Sequence, residues 1–104
     1  MTDLRWSDAA AAELTAAYDY IAQDDPRAAL KVFNRIVAAA ELVARRNIGR
    51  VGRRLGTFEK SVIGAPYVLI YVRDEEQSET TITSVIHTAR QWPPVLGADD
   101  VDLQ

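Results

Sequence analysis

Apolar residues recur at Ala10, Leu14, Ala17, Tyr18 and Ile21, in steps of three and four that line them along one stripe of a helix. Ser7, just ahead of the stripe, suits an N-cap, and Asp8 suits the positive end of the helix dipole. The pattern predicts a helix from there to about Ala22, preceded by a short segment from Leu4 to Trp6. Gln23 and Asp24 leave room only for a tight connector before Asp25 and Pro26, an N-cap followed by proline in the first helical turn. A second stripe follows at Ala29, Val32, Phe33, Ile36, Val37, Ala40 and Val43. Arg45 and Arg46 favour its negative end, and Asn47 or Gly49 is expected to stop it in the left-handed conformation. With so short a connector, the two helices form an antiparallel hairpin.

Beyond an arginine-rich stretch, β-branched and aromatic residues take over through Leu55 to Ile63, Tyr67 to Val72 and Thr80 to His87. Gly64 to Pro66 and the polar run Asp74 to Ser78 read as turns, so successive strands run antiparallel. Val68 to Val72 is apolar on both faces, which marks a central strand with the helices on one side and another cover on the other. Strict alternation along the last strand puts Ile82, Ser84 and Ile86 on one face and Thr81, Thr83, Val85 and His87 on the other. The resulting class is α+β: a short N-terminal strand, a two-helix hairpin, and a three-stranded antiparallel sheet packed on the hairpin. One domain is expected over residues 1–93, followed by an acidic tail over 94–104 (Asp99, Asp100, Asp102) that has little to bury and is expected to fray.

Composition narrows the function classes. At 104 residues, with 48% hydrophobic and 26% charged positions, the chain carries enough apolar surface for one core and lies outside the disordered range. It has no cysteine and one histidine, and its acids are scattered, so neither a disulfide framework, a metal site nor a cofactor is expected. No apolar run suits a signal peptide or a membrane span, and the cytoplasm is the expected compartment.

A net charge of −3 argues against sequence-specific nucleic-acid binding by this chain alone. That average hides a split. From Arg45 to Arg73 lie seven basic residues, Arg45, Arg46, Arg50, Arg53, Arg54, Lys60 and Arg73, against the single acid Glu59, a local +6; the remainder carries −9. These cations, with His87, Arg90 and Trp92, form the candidate target-binding set, expected to make one positive patch; the alternative is a solvated basic loop. Gly49, Gly52 and Gly56 lack the following Lys-Ser/Thr and helix of a phosphate loop, and Ser61 and Ser84 lie in strands without a strained turn. His87 ends a strand near Arg90 and Trp92. RNA cleavage by 2′-hydroxyl attack needs a base, an acid and cations, for which His87, Arg54, Lys60, Arg73 and Arg90 are the residues available. The other reading is a histidine bonded to neighbouring backbone and holding the strand end.

Four strings, in order, resemble the RelE/ParE toxins of bacterial type II toxin-antitoxin modules. They are Tyr20 to Pro26 with Ala28 and Ala29; Gly56, Thr57, Phe58, Glu59; Pro66 to Tyr71; and Val85 to Pro93. The likeness spans about residues 4 to 93. It implies growth inhibition by the free protein and a cognate antitoxin that wraps it in a hetero-oligomer. The apolar surface expected beneath that antitoxin is Trp6, Tyr18, Phe58, Tyr67, Tyr71 and Trp92.

Within this family, one branch cuts messenger RNA on the ribosome and the ParE-like branch poisons DNA gyrase. The nuclease branch usually carries arginine where this chain has Val68 and an aromatic hydroxyl where it has Thr88, so the ParE-like branch, with no catalytic residues, is the expected one. Many relatives carry arginine at the place of Phe58. The alternatives are a RelE-like endoribonuclease and a degenerate, non-toxic member that only forms the complex and regulates its operon.

Overall fold

The computed structural model describes residues 2–89. A short strand β1 (Asp3–Trp6) leads into the helices α1 (Asp8–Ala22) and α2 (Pro26–Arg45). Strands β2 (Arg50–Val51), β3 (Phe58–Ser61), β4 (Tyr67–Asp74) and β5 (Glu79–His87) complete the chain. Both helices begin where the sequence places them, because both caps form. Ser7 Oγ accepts the Ala10 N–H at 3.0 Å, and Asp25 Oδ1 accepts those of Arg27 and Ala28 at 3.1 Å.

The sheet is larger than three strands. Its order is β1-β5-β4-β3-β2, with β1 parallel to β5 and the other pairs antiparallel. The N-terminal segment pairs with the end of the chain, and Arg50 and Val51 form a two-residue edge strand that carries no period-2 signature. Leu55 to Thr57, expected to be strand, is instead the turn joining β2 to β3. β4 is central, as its apolar character on both faces requires.

Cross-strand partners place Tyr67, Leu69, Tyr71 and Arg73 on the face of β4 toward the helices. There the core gathers around Leu14, Ile36, Ala40, Val43, Leu69, Tyr71 and Ile82.

In β5 the alternation predicted from sequence is broken. Ser84 pairs with Ile70 and Ile82 with Tyr71, so Thr83 is an inserted residue with no partner across the ladder. This β-bulge sets Ile82, Val85 and His87 on the helix face and Thr81, Ser84 and Ile86 on the outer one. The Thr83 hydroxyl donates to the Ile70 carbonyl at 3.2 Å, and its carbonyl accepts from Ser7 Oγ at 3.3 Å.

α2 does not end in a left-handed residue. Its cap, Arg46, is extended (φ −139°, ψ 133°), and the only positive φ values among the described residues are at Gly56, Gly64 and Ser78. Gly49 serves proximity instead. A Cβ there would fall 2.8 Å from the Glu59 carbonyl and against the Tyr71 hydroxyl, so only glycine lets this backbone lie on the tyrosine.

Candidate functional site

β3 turns Glu59 onto the outer face, opposite Arg50 of β2 and Ile70 of β4. Its side chain is 1% exposed, and a carboxylate taken so far from water must be bonded. Oε1 accepts from Arg50 Nη2 at 3.1 Å and lies 3.6 Å from Arg53 Nε; Oε2 accepts the Arg53 backbone N–H at 2.9 Å. Both guanidinium side chains are half exposed. The result is a dry anion holding two wet cations and anchoring the loop between β2 and β3. Glu59 is the residue that sequence reasoning passed over, although its isolation as the single acid in a basic run was a signal that it pairs within that run.

Beside this cluster the outer face carries a cavity of about 250 Å³. Val68, Ile70 and Ile86 line it together with Ser61, His87 and Thr88. Val68 and Thr88, the two positions on which the expected lack of nuclease activity rested, thus border one space with Arg50 and Arg53. His87 sits at its rim. The imidazole Nδ1 accepts the Ala89 N–H at 3.0 Å, and the ring stands edge-on to Tyr67 with centroids 5.1 Å apart. The backbone-bonded reading of this histidine therefore holds, while the residue itself stays exposed.

The predicted cations do not converge. Arg73 lies on the helix face with its side chain 11% exposed; Nη1 donates to the Val43 carbonyl at 3.0 Å and to Thr80 Oγ1 at 3.2 Å, and Nε pairs with Glu75. It closes the end of α2. Lys60, opposite Leu69, also belongs to the helix face, and its Nζ donates to the Ser61 carbonyl at 3.0 Å. Neither joins Arg50 and Arg53 across the sheet. Arg45, Arg46 and Arg54 are exposed at the end of α2 and in the loop. Arg90 and Trp92 lie outside the described residues, as does the tail over 94–104.

The expected antitoxin-facing aromatics divide in the same way. Tyr71 (0% exposed) and Tyr67 (7%) belong to the chain's own core and offer almost no surface. Phe58 stacks on Tyr71 at 5.5 Å and is half-buried, as are Trp6 against the core and Tyr18 edge-on to Phe33. The outer face is also less bare than expected, since Ile70 and Ile86 are buried there without a partner.

A larger groove, of about 500 Å³, runs between α1 and the end of β5, past Ala16, Ala17, Tyr20 and Val85. β1 stops pairing at Ile82, and beyond it Glu13 Oε1 accepts the Val85 N–H at 2.8 Å, sealing that stretch of edge. Among the described residues no three acids or histidines gather to hold a metal ion, and no helix is long and apolar enough to cross a membrane.

Against known families, residues 4–92 match the one described as the ParE toxin of the type II toxin-antitoxin system parDE. The chain is 38% identical over 96 residues to the candidate toxin Y4kP of Sinorhizobium fredii, covering 89% of this chain and 95% of that protein. Among solved structures it resembles one from the chromosomal ParDE toxin-antitoxin system of P. aeruginosa, with a TM-score of 0.72 and 26% identity, covering 84% of this chain and 96% of that one. It also resembles one from the RelBE2 toxin-antitoxin complex of Mycobacterium tuberculosis, with a TM-score of 0.60 and 25% identity over 83% and 96% of the two chains.

Proposed function

The chain belongs to the ParE toxin family of type II toxin-antitoxin systems, and from that premise we propose that it arrests growth by acting on DNA gyrase and not by cutting RNA. The observation that carries this reading is the outer-face cavity. Val68 and Thr88 line it, Arg50 and Arg53 are tied to a buried carboxylate, and Lys60 and Arg73 face the opposite way. Cleaving a phosphodiester demands cations aimed at the charge that develops on phosphorus, and removing one such group typically costs about 3 kcal/mol of transition-state stabilisation. Arginines held against Glu59, though one carboxylate leaves the pair a net positive charge, are poorly placed to supply it.

A cognate antitoxin completes the proposal. Tyr20 is well exposed along the groove between α1 and β5, and Leu30 is well exposed beside half-buried Tyr18 where α1 meets α2, so these two flanks of α1 are the surface we assign to the antitoxin. Tyr71 is withdrawn from it, and Tyr67 borders the groove with little exposed surface.

One observation favours the nuclease reading, namely that His87 lines the same cavity as Arg50 and Arg53. Two reactions separate the readings. Purified protein should inhibit supercoiling by gyrase and accumulate cleaved DNA, and should leave messenger RNA intact on translating ribosomes. Codon-phased cleavage lost on His87→Ala, with gyrase unaffected, would reverse the assignment.

A further inference from the structure

The segment between α2 and β3 combines features that ordinary loops keep apart. Leu55 is 103% exposed, Val51 79% and Ile48 47%, and they are interleaved with Arg46, Arg50, Arg53 and Arg54. A lone exposed leucine is unremarkable. Here three apolar side chains stand in one short segment whose only charges are positive.

The loop is also held in shape. The Gly52 N–H donates to the Thr57 carbonyl at 2.7 Å, and the Thr57 N–H and hydroxyl both donate to the Arg54 carbonyl, at 3.1 and 2.7 Å. The Arg53 N–H is fixed to buried Glu59. The chain thus spends backbone hydrogen bonds and a buried anion on keeping a leucine in water. Display of this kind lowers the ordering cost of binding.

We infer that the Gly52–Thr57 loop is a braced finger by which this toxin grips an acidic, apolar-bearing protein surface on its target, with Leu55 and Val51 as the apolar contacts and the surrounding arginines setting the charge preference. The inference rests on the target reading above and names the surface that acts there. The charge selects an anionic partner. The apolar side chains select protein over nucleic-acid backbone, because phosphates would leave them in water. Arginine beside large apolar groups is also the composition that concentrates affinity at protein interfaces. The antitoxin surface assigned above lies elsewhere, along the helices and the far end of β5, which leaves the finger for the target.

The test compares the full chain with Leu55→Ser and with the double variant Val51→Thr, Leu55→Ser. Ile63→Ser, as exposed as Val51 (80% against 79%) but lying beyond the opposite end of β3, is the control. Each is assayed for growth arrest, for inhibition of gyrase holoenzyme on relaxed plasmid, for affinity toward the cognate antitoxin, and for binding to a short DNA duplex. Leu55→Ser should weaken arrest and gyrase inhibition by about tenfold or more, and the double variant further, within the range of a modest interface hot spot. The control should match wild type, and antitoxin affinity should hold within about twofold. Added salt should weaken the gyrase interaction.

Undiminished arrest and gyrase inhibition by folded Leu55→Ser would overturn the finger. So would loss of antitoxin affinity with gyrase inhibition intact, or duplex binding by wild type that Leu55→Ser abolishes. If wild type arrests growth yet leaves gyrase untouched, it is the gyrase reading that fails, and the finger is then judged by the arrest alone.

Discussion

The hydroxyl of Tyr71 accepts the backbone N–H of Gly49 at 3.0 Å and donates to Asn47 Oδ1 at 3.0 Å, joining the core of the sheet to the segment that leaves α2. A phenylalanine would keep the ring and strand the Gly49 N–H. Tyr71→Phe should therefore cost about 1–2 kcal/mol, read as a lowered urea midpoint at unchanged slope. Gly49→Ala should cost more, because its Cβ meets backbone that cannot move aside. Gly56→Ala supplies the contrast, since nothing lies near its Cβ and the strain of its φ of +81° is all that is felt, about 1 kcal/mol.

The same hydroxyl gives the protein an alkaline limit. Burial pushes the Tyr71 phenol above its ordinary value of 10.0, with the Gly49 N–H and the charge of Arg73 opposing part of the rise. The unfolded chain then loses this proton at lower pH than the folded one, so stability is intact below about pH 10 and falls as pH climbs toward the folded pKa. Chemical denaturation across pH 9 to 11 should show a steeper loss for wild type than for Tyr71→Phe. Parallel slopes would remove Tyr71 as the cause.

Glu59→Gln tests whether the buried carboxylate organises the arginine loop. An amide keeps the volume but loses the charge that holds Arg50 and the Arg53 N–H. Because both cations are half exposed, the cost should be about 1–2 kcal/mol and not that of a fully buried pair. The local effect should exceed the global one, with faster amide exchange at Arg53 and Thr57 than in the core strands. Reversing Arg53 to glutamate would set a second carboxylate against Glu59 and disturb the loop, so Arg53 is not the interchangeable surface charge that the sequence suggested.

Deleting Thr83 should leave the fold standing, because Ile82 then adjoins Ser84 and plain alternation keeps Val85 in the core and Ser84 outside, with only the bulge and its bonds to Ile70 and Ser7 lost. Thr83→Val, which keeps the residue count and removes only the hydroxyl bonded to Ile70, should cost no more than about 1 kcal/mol. Circular dichroism and thermal melts of the two variants separate loss of the bulge from loss of its hydroxyl, and an unfolded deletion variant would show that the bulge itself is required.

These cases show what could be read without coordinates. Ser7, Asp25 and Pro26 fixed the helix starts because caps are local chemistry, and the apolar stripes named the packed faces. β1 and β2 were harder, since strands of four and two residues carry no reliable period and their pairing is non-local. The bulge at Thr83 was invisible because one inserted residue looks identical to alternation in a run of threonines and serines. At the site, charge counting found the arginines but could not tell which side of a sheet each would take. Register alone put Lys60 on the helix face, while Glu59, its neighbour, took the other.

The placement of β1 also sets a condition on when the protein can be finished. Thr2 and Thr80, which share a buried hydrogen bond, are 78 positions apart, and the parallel pairing of β1 with Glu79 to Ile82 spans nearly the whole domain. Contacts of such separation are slow to form and are absent until the later partner exists. During synthesis the helices can assemble early, but the N-terminal strand waits for almost the last residues of the sheet to leave the ribosome. A truncated product ending before Glu79 lacks both β5 and a place for β1. Completion of the chain, and not merely its initiation, is thus the step that arms the molecule.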